Sequence, residues 1–209
     1  MRLTKYEHAC FTVEKDDLLL VIDPGIFTTD FIVPENIAAI IITHEHPDHF
    51  DPEQIAAIID KNPDALILAH ETITSKIQAF QTHAVTAGDV FAVGPFTLEF
   101  FGGEHALIHP SIPRIINLGV MINDLLYYPG DSFVLPQKAV DTLAIPASAP
   151  WLKMSEAMDF LVAIQPRFAF ATHDALLSSN GKAISDRLFG GIAEKNGIEY
   201  NRLELPVDV

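Results

Sequence analysis

The chain has 209 residues, 49% of them hydrophobic and 20% charged, a balance that excludes disordered and fibrous classes and predicts one domain spanning 1–209. Twenty-eight acidic residues against 13 basic ones leave a net charge of −15, and no two basic residues adjoin, so nucleic acid is not an expected partner. Lone Cys10 excludes an internal disulfide and a thiolate-built zinc site, and no apolar run approaches the roughly 18–20 residues of a membrane span. With no leading apolar segment of secretory length, a cytoplasmic protein without membrane partners is expected.

In chain order, 3–6, 9–14 and 18–22 read as strands, with Lys15-Asp16-Asp17 as a hairpin turn and Asp23-Pro24-Gly25 as the stop. Segment 37–43 is a continuous β-branched run, the pattern of a strand buried on both faces. Asp51 and Pro52 then start a helix over 52–61, whose Ile55, Ile58 and Ile59 share one stripe. Further strands are predicted at 65–69, 90–93, 96–101, 115–122, 125–128, 142–145, 168–172 and 199–203. Helices are predicted at 71–80, 155–164 and 183–195. Strands and helices interleave while hairpins recur, so two mixed sheets with helices outside fit better than one parallel sheet.

The segment Thr43-His44-Glu45-His46-Pro47-Asp48-His49 sets four ligand-type side chains, His44, His46, Asp48 and His49, between a buried strand and a helix. Leaving a strand in extended form, residues i and i+2 point the same way, so His44 and His46 can grip one ion together. Pro47 then turns Asp48 and His49 toward a neighbouring position, as two adjacent metals would require. A lone histidine is ordinarily a surface or satisfied core residue, but three with an aspartate in one tight turn are not explained that way. Imidazole and carboxylate without thiolate suit zinc, manganese or iron. Three more donors follow other strands: His105 after Gly102-Gly103, Asp131 after Pro129-Gly130, and His173 after 168–172. Each sits past the C-terminal end of an apolar strand, where α/β proteins assemble sites from separate loops.

The string His44-x-His46-x-Asp48-His49, followed by Gly103-Glu104-His105, Tyr128-Pro129-Gly130-Asp131 and Thr172-His173-Asp174, resembles the metallo-β-lactamase superfamily over essentially the whole chain. His8-Ala9-Cys10-Phe11, Ile22-Asp23-Pro24 and the 146–151 segment ending in Trp151 are similar to the branch that holds the ascorbate-6-phosphate lactonase and further metal-dependent hydrolases. The resemblance implies an α/β fold, an αββα four-layer sandwich of two mixed β-sheets flanked by helices. It implies two divalent ions, zinc first with manganese or iron as alternatives, in a cleft along one edge of the sheets. His44, His46 and His105 would hold one ion, Asp48, His49 and His173 the other, with Asp131 bridging. The implied reaction is hydroxide attack on an ester-like bond of a small soluble substrate, with Asp48 and Asp131 as catalytic carboxylates and Asp48 orienting the hydroxide. A lactone is favoured by the nearer branch, a phosphodiester is the alternative, and a metal-dependent binding or sensing protein without turnover is the alternative of another class. Because Cys10 is the only cysteine, the cysteine ligand of many β-lactamases cannot be supplied at Asp131, and β-lactam hydrolysis is not expected. His46 stands where flavodiiron relatives carry Glu, which argues against oxygen reduction.

Asp23 reads equally as a turn residue before Pro24 or as an acceptor fixing a ligand imidazole. His8 is either a satisfied core residue or a support of the site, and His109 either faces substrate or lies on a surface loop. Trp151 packs or forms a substrate wall. Tyr128 and Cys10 read as core, His70 and His83 as surface, and Asp174 as a cap for the following segment or a support of the site. Edge strands and exposed apolar loops leave a homo-oligomer open.

Overall fold

The computed structural model describes residues 1–209. Asp16 and Asp17, at φ 51° and 63°, make the two-residue turn between β2 (Phe11–Lys15) and β3 (Leu18–Ile22), the left-handed backbone that a tight hairpin demands. β1 (Arg2–Lys5) pairs antiparallel with β2, while β4 (Ile37–Ile42), β5 (Leu66–Ala69) and β6 (Thr82–Ala84) extend the sheet in parallel from β3. The second sheet repeats the plan. β7 (Val90–Val93), β8 (Phe96–Gly102), β9 (Leu118–Ile122) and β10 (Leu126–Tyr128) are successively antiparallel. β11 (Thr142–Pro146), β12 (Phe168–Thr172) and β13 (Glu199–Asn201) continue in parallel. A last strand, β14 (Val207–Asp208), returns the chain to the first sheet beside β1.

Three apolar clusters hold four layers together. Between the sheets, Phe11, Leu20, Ile22 and Ile41 meet Phe100, Val120, Tyr128 and Phe170, all essentially without exposure. On the outer face of the first sheet, Ile40, Ile42 and Ile67 pack on Ile55 and Ile58 of α1 (Pro52–Lys61). Beyond the second sheet, Leu143, Ile145 and Ala169 pack on Phe160 and Leu161 of α3 (Met154–Ile164) and Phe189 of α4 (Ser179–Lys195). β4 explains its own composition: Ala39 and Ile41 point between the sheets, Ile40 and Ile42 point at α1, so neither face tolerates a polar residue.

Several expectations are corrected. The helix expected over 71–80 is one turn, α2 (Glu71–Thr74), capped by the His70 ring accepting from the Thr72 amide. Thr72, Ile73 and Thr74 are β-branched and prolong a helix poorly, although Ile73, Ile77 and Phe80 still pack together. α4 begins four residues earlier than 183, because the Ser178 hydroxyl caps the Gly181 amide and offsets Asn180-Gly181 inside the first turn. The strand expected over 199–203 stops at Asn201, and β6 and β14 are short edge strands that no apolar run announces.

Phe170 has no exposed surface and meets Phe11 edge-on at 5.8 Å between ring centres. Phe170→Ala is therefore expected to lower unfolding free energy by about 3–5 kcal/mol, read from the urea midpoint. A loss under about 1 kcal/mol would mean that the space between the sheets collapses freely around the gap.

Candidate metal centre

One edge of the sandwich is stitched before any ligand is placed. His44 bridges Asn117 in antiparallel fashion and the Leu118 amide donates to the Thr43 carbonyl at 2.9 Å, joining the exit of β4 to the start of β9. At the end of β3, Asp23 is fully buried and its carboxylate accepts from the Thr43 amide (2.8 Å), the Thr43 hydroxyl (2.7 Å) and His49 Nδ1 (2.7 Å). Having given its hydrogen to Asp23, the Thr43 hydroxyl can only accept from His44 Nδ1, 3.0 Å away. His105 Nδ1 donates to the Ala106 carbonyl at 2.6 Å, and His173 Nδ1 donates to the Ser148 carbonyl. In all four rings Nδ1 is thus the donor to an oxygen acceptor, and Nε2 is turned inward. Nε2 of His44, His49, His105 and His173, together with Asp131 Oδ1, is buried without a hydrogen-bond partner.

These atoms converge in three overlapping groups whose donor atoms lie within 4.8 Å of one another. They are His44, His46 and His105; His8, Asp48, His49 and His173; and His44, His49 and Asp131. Asp131 stands among them, its Oδ1 3.3 Å from His49 Nε2 and its Oδ2 3.3 Å from His105 Nε2 and 3.1 Å from His173 Nε2. Burial pushes the His44 imidazole well below its ordinary pKa. Burial presses the same way on His49 and His173, but the adjacent Asp131 outweighs it, raising His49 well above the ordinary value and His173 to about 9. Asp131 and Asp48 are held well below the usual carboxylate range against the pull of burial, Asp131 by His49 and His173, Asp48 by its contacts with His173 and His8. Such carboxylates hold protons on imidazoles that a divalent cation would displace. Buried, unpartnered nitrogen and oxygen donors facing one point, with every outward atom satisfied, fit a metal ion.

Asp131 owes its position to Asn117, which the sequence did not flag, and to Trp151, which it flagged as a packing residue or substrate wall. Asn117, fully buried, accepts from the Asp131 amide at 2.9 Å and donates to the Pro129 carbonyl at 2.9 Å. Trp151 donates from Nε1 to Asp131 Oδ2 at 2.8 Å while its ring meets Phe133, so it packs and also orients a site carboxylate. Tyr128, read as core, is buried, yet its hydroxyl lies 3.4 Å from His49 Nδ1. His8 is 1% exposed, with Nε2 3.0 Å from Asp48 Oδ2. His109 is not brought to the cluster: it is exposed and bonds Ser111 within its own loop. Asp174 is no helix cap, which is Ser178; its carboxylate is instead held by Arg202, with Lys5 and Lys182 nearby. Cys10 is buried, and burial pushes its thiol up to about 12, an inert residue. His83 is exposed as read, whereas His70 is half-buried and serves as the cap of α2.

A two-sheet sandwich with outer helices and a histidine–aspartate cluster on one sheet edge is the architecture of the metallo-β-lactamase fold. Residues 2–173 match the model of the Beta-lactamase superfamily domain, and the chain belongs to that family. Protein Rv0786c of Mycobacterium tuberculosis is 35% identical over 208 residues, covering 97% of this chain and 96% of that one. The UPF0173 metal-dependent hydrolase MJ1163 of Methanocaldococcus jannaschii is 26% identical, covering 62% of this chain and 60% of its own. In three dimensions the chain is similar to the metallo-β-lactamase fold protein YhfI of Bacillus subtilis, with a TM-score of 0.75 at 16% identity over 99% of this chain and 98% of that one. No helix is long and apolar enough to cross a membrane.

Gly25 is where the ligand turn presses hardest on its support. A Cβ there would lie 2.0 Å from the Asp48 carbonyl oxygen and 2.5 Å from the His49 nitrogen, backbone atoms that cannot swing aside. Gly25→Ala is expected to push the 46–49 turn outward and weaken metal binding by about tenfold or more while the circular-dichroism spectrum stays folded. Unchanged affinity in a competition titration with a chelating dye would show that the turn does not depend on this contact.

Proposed function

We propose that the chain is a dinuclear metal-dependent hydrolase acting on a small, uncharged, ester-like substrate, with a lactone as the leading case. The observation that carries this reading is the set of five buried, unpartnered donor atoms on His44, His49, His105, His173 and Asp131. In this reading His44, His46 and His105 hold one ion, Asp48, His49 and His173 hold the other, and Asp131 lies between them. The donor set suits zinc first, with manganese or iron as alternatives. Bound divalent ions would polarise a carbonyl or phosphoryl oxygen and lower the pKa of a shared water toward about 7.

The chain's own residues supply placement and exclusion. Asp23 and Thr43 fix the tautomers of His49 and His44, so their Nε2 lone pairs face inward without a search among rotamers. Asp48 is the more open of the two carboxylates, with 21% side-chain exposure against 4% for Asp131, and orients the attacking water toward substrate. Asp131, enclosed and held by Trp151 and Asn117, keeps its place between the ions.

The rim favours a neutral substrate. Segments 26–29, 106–113, 147–152 and 175–178, which adjoin Asp23, His105, Asp131 and His173, contain no Asp, Glu, Lys or Arg. Instead they expose Ile26, Leu107, Ile112 and Leu176. An open groove of about 990 Å³ begins at His105 and runs past Phe101, Leu107, Phe133 and Leu135. Its charges are paired, Arg114 with Glu104 and Lys138 with Glu99, each at 2.6 Å. No unpaired cation there waits for a phosphoryl oxygen, which favours a carboxylic ester or lactone over a phosphodiester.

Mass-spectrometric metal analysis of untagged protein, before and after chelation, is expected to give two ions of zinc, manganese or iron per chain. Asp131→Ala is expected to drop that number toward one and to lower kcat/KM by at least about 10²-fold. With a chromogenic panel of lactones, carboxyl esters and bis-aryl phosphates, the metal-loaded protein is expected to prefer the neutral carbonyl substrates. Preference for the phosphates would move the reading to a phosphodiesterase. Background rates throughout at full metal loading would replace it with a metal-dependent binding or sensing protein.

A further inference from the structure

Among the residues around the proposed centre, His8 is the one whose ring is wired the opposite way. It sits in the connection between β1 and β2 with φ 54°, a left-handed backbone that a non-glycine residue keeps only where its surroundings insist. Those surroundings are the exit of β12. The His8 carbonyl accepts from the His173 amide at 2.9 Å, and its ring lies on the His173 ring with centres 3.9 Å apart. Phe27 closes over it edge-on at 5.1 Å. Most tellingly, the Ala175 amide donates to His8 Nδ1 at 3.3 Å.

A backbone amide can only donate, so Nδ1 of His8 must keep its lone pair, and in a neutral ring the hydrogen then resides on Nε2. Nε2 faces Asp48 Oδ2 at 3.0 Å, an acceptor. In His44, His49, His105 and His173 the pattern is reversed, with Nδ1 bonded to oxygen and Nε2 unpartnered. By distance alone His8 belongs to the group with Asp48, His49 and His173, and a count of neighbouring donors would make it a ligand. Its hydrogen placement forbids this, because a metal on Nε2 would require Nδ1 to carry hydrogen against the Ala175 amide.

We infer that His8 is a positioning residue of the centre and not one of its ligands: it donates Nε2–H to Asp48 Oδ2 and holds that carboxylate in register with His173. This rests on the dinuclear reading above. His8 ties Asp48, on the turn after β4 in the first sheet, to His173 and Ala175 at the end of β12 in the second. Two of the three groups assigned to the second ion thereby come from different sheets and are joined by one side chain. His44, His46 and His105 have no bond to His8, so its loss falls on the second ion alone.

Two measurements test this. Long-range ¹⁵N–¹H correlation spectra of the wild-type chain, metal-free and zinc-loaded, report the tautomer of each ring. His8 is expected to carry its hydrogen on Nε2 in both states, while Nε2 of His44, His49, His105 and His173 shifts on zinc binding. A zinc-induced shift at His8 Nε2, or hydrogen on Nδ1, would overturn the assignment even if the catalytic reading stood. No zinc shift at any ring would fail the dinuclear reading, whereas the metal-free spectrum still reports the His8 tautomer. In the second measurement, His8→Phe keeps a ring and removes the donor, and His8→Gln restores an N–H. His8→Phe is expected to weaken the second ion about 10–100-fold in stepwise zinc titration and leave the first within about twofold, with His8→Gln recovering most of the loss. Equal weakening of both ions, no weakening, or no recovery in His8→Gln would each reject the positioning role.

Discussion

Five polar atoms turned toward one another are the constraint around which this molecule is organised: Nε2 of His44, His49, His105 and His173 and Oδ1 of Asp131 are buried without a properly formed hydrogen bond. The Asp131 carboxylate, 3.1–3.3 Å from three of the rings, offsets only part of what their burial costs. Such a cluster survives only if the outward side of every ring is bonded and the two sheets hold the site closed. Both conditions are met. Each outward Nδ1 has an oxygen, and the apolar space between the sheets ends directly beneath the cluster in Ile22, Ile41, Tyr128 and Phe170.

Backbone strain is concentrated at the same edge. Asp23, His8 and His173 have φ of 44°, 54° and 57°, and a non-glycine residue pays about 1–3 kcal/mol for such a conformation. In the hairpin turns the same conformation is what the turn type requires, so Asp16, Asp17, Asn123 and Asp124 need no other cause. At the site it has a different use: a left-handed residue reverses the chain in one step, letting the strand ends deliver Asp23 and His173 inward instead of along the strand. The bridge between His44 and Asn117 and the Asp23 carboxylate over-determine these reversals.

What could be read from the sequence follows from how local each signal is. The 43–49 turn was legible because its donors are contiguous and follow a buried run, so spacing and direction are fixed within seven residues. The cap and first proline of α1 were legible for the same reason. His105, Asp131 and His173 stand alone in sequence, and only their place after apolar strands and the family resemblance linked them. Asn117 and the hydroxyl of Tyr128 were invisible, because an asparagine before a strand and a tyrosine within one have commoner explanations. Their partners lie 12–14 and 79 residues away. β14 is the limiting case: two residues that become a strand only because β1, at the other end of the chain, is there to pair. His109 shows the converse, a residue close in sequence to His105 whose loop bonds it to Ser111 and carries it away.

Charge distribution joins the proposed centre to its proposed substrate. Two divalent ions with the carboxylates of Asp48 and Asp131 would leave about +2 in a cleft, inside a chain of net charge −15. At physiological ionic strength fields decay over about 8 Å, so an approaching molecule meets the surface charge before it meets the ions. A phosphate would be repelled by the acidic surface and would find no unpaired cation on the rim. A metal cation would be drawn in by the same field and held by imidazoles whose orientations are already set. A neutral ester feels neither force until its carbonyl reaches the centre, and the apolar rim formed by Ile26, Leu107, Ile112 and Leu176 then rewards it for leaving water. In the proposed reading the acidic surface and the uncharged rim would act together, one drawing in the cations and the other selecting what they act on.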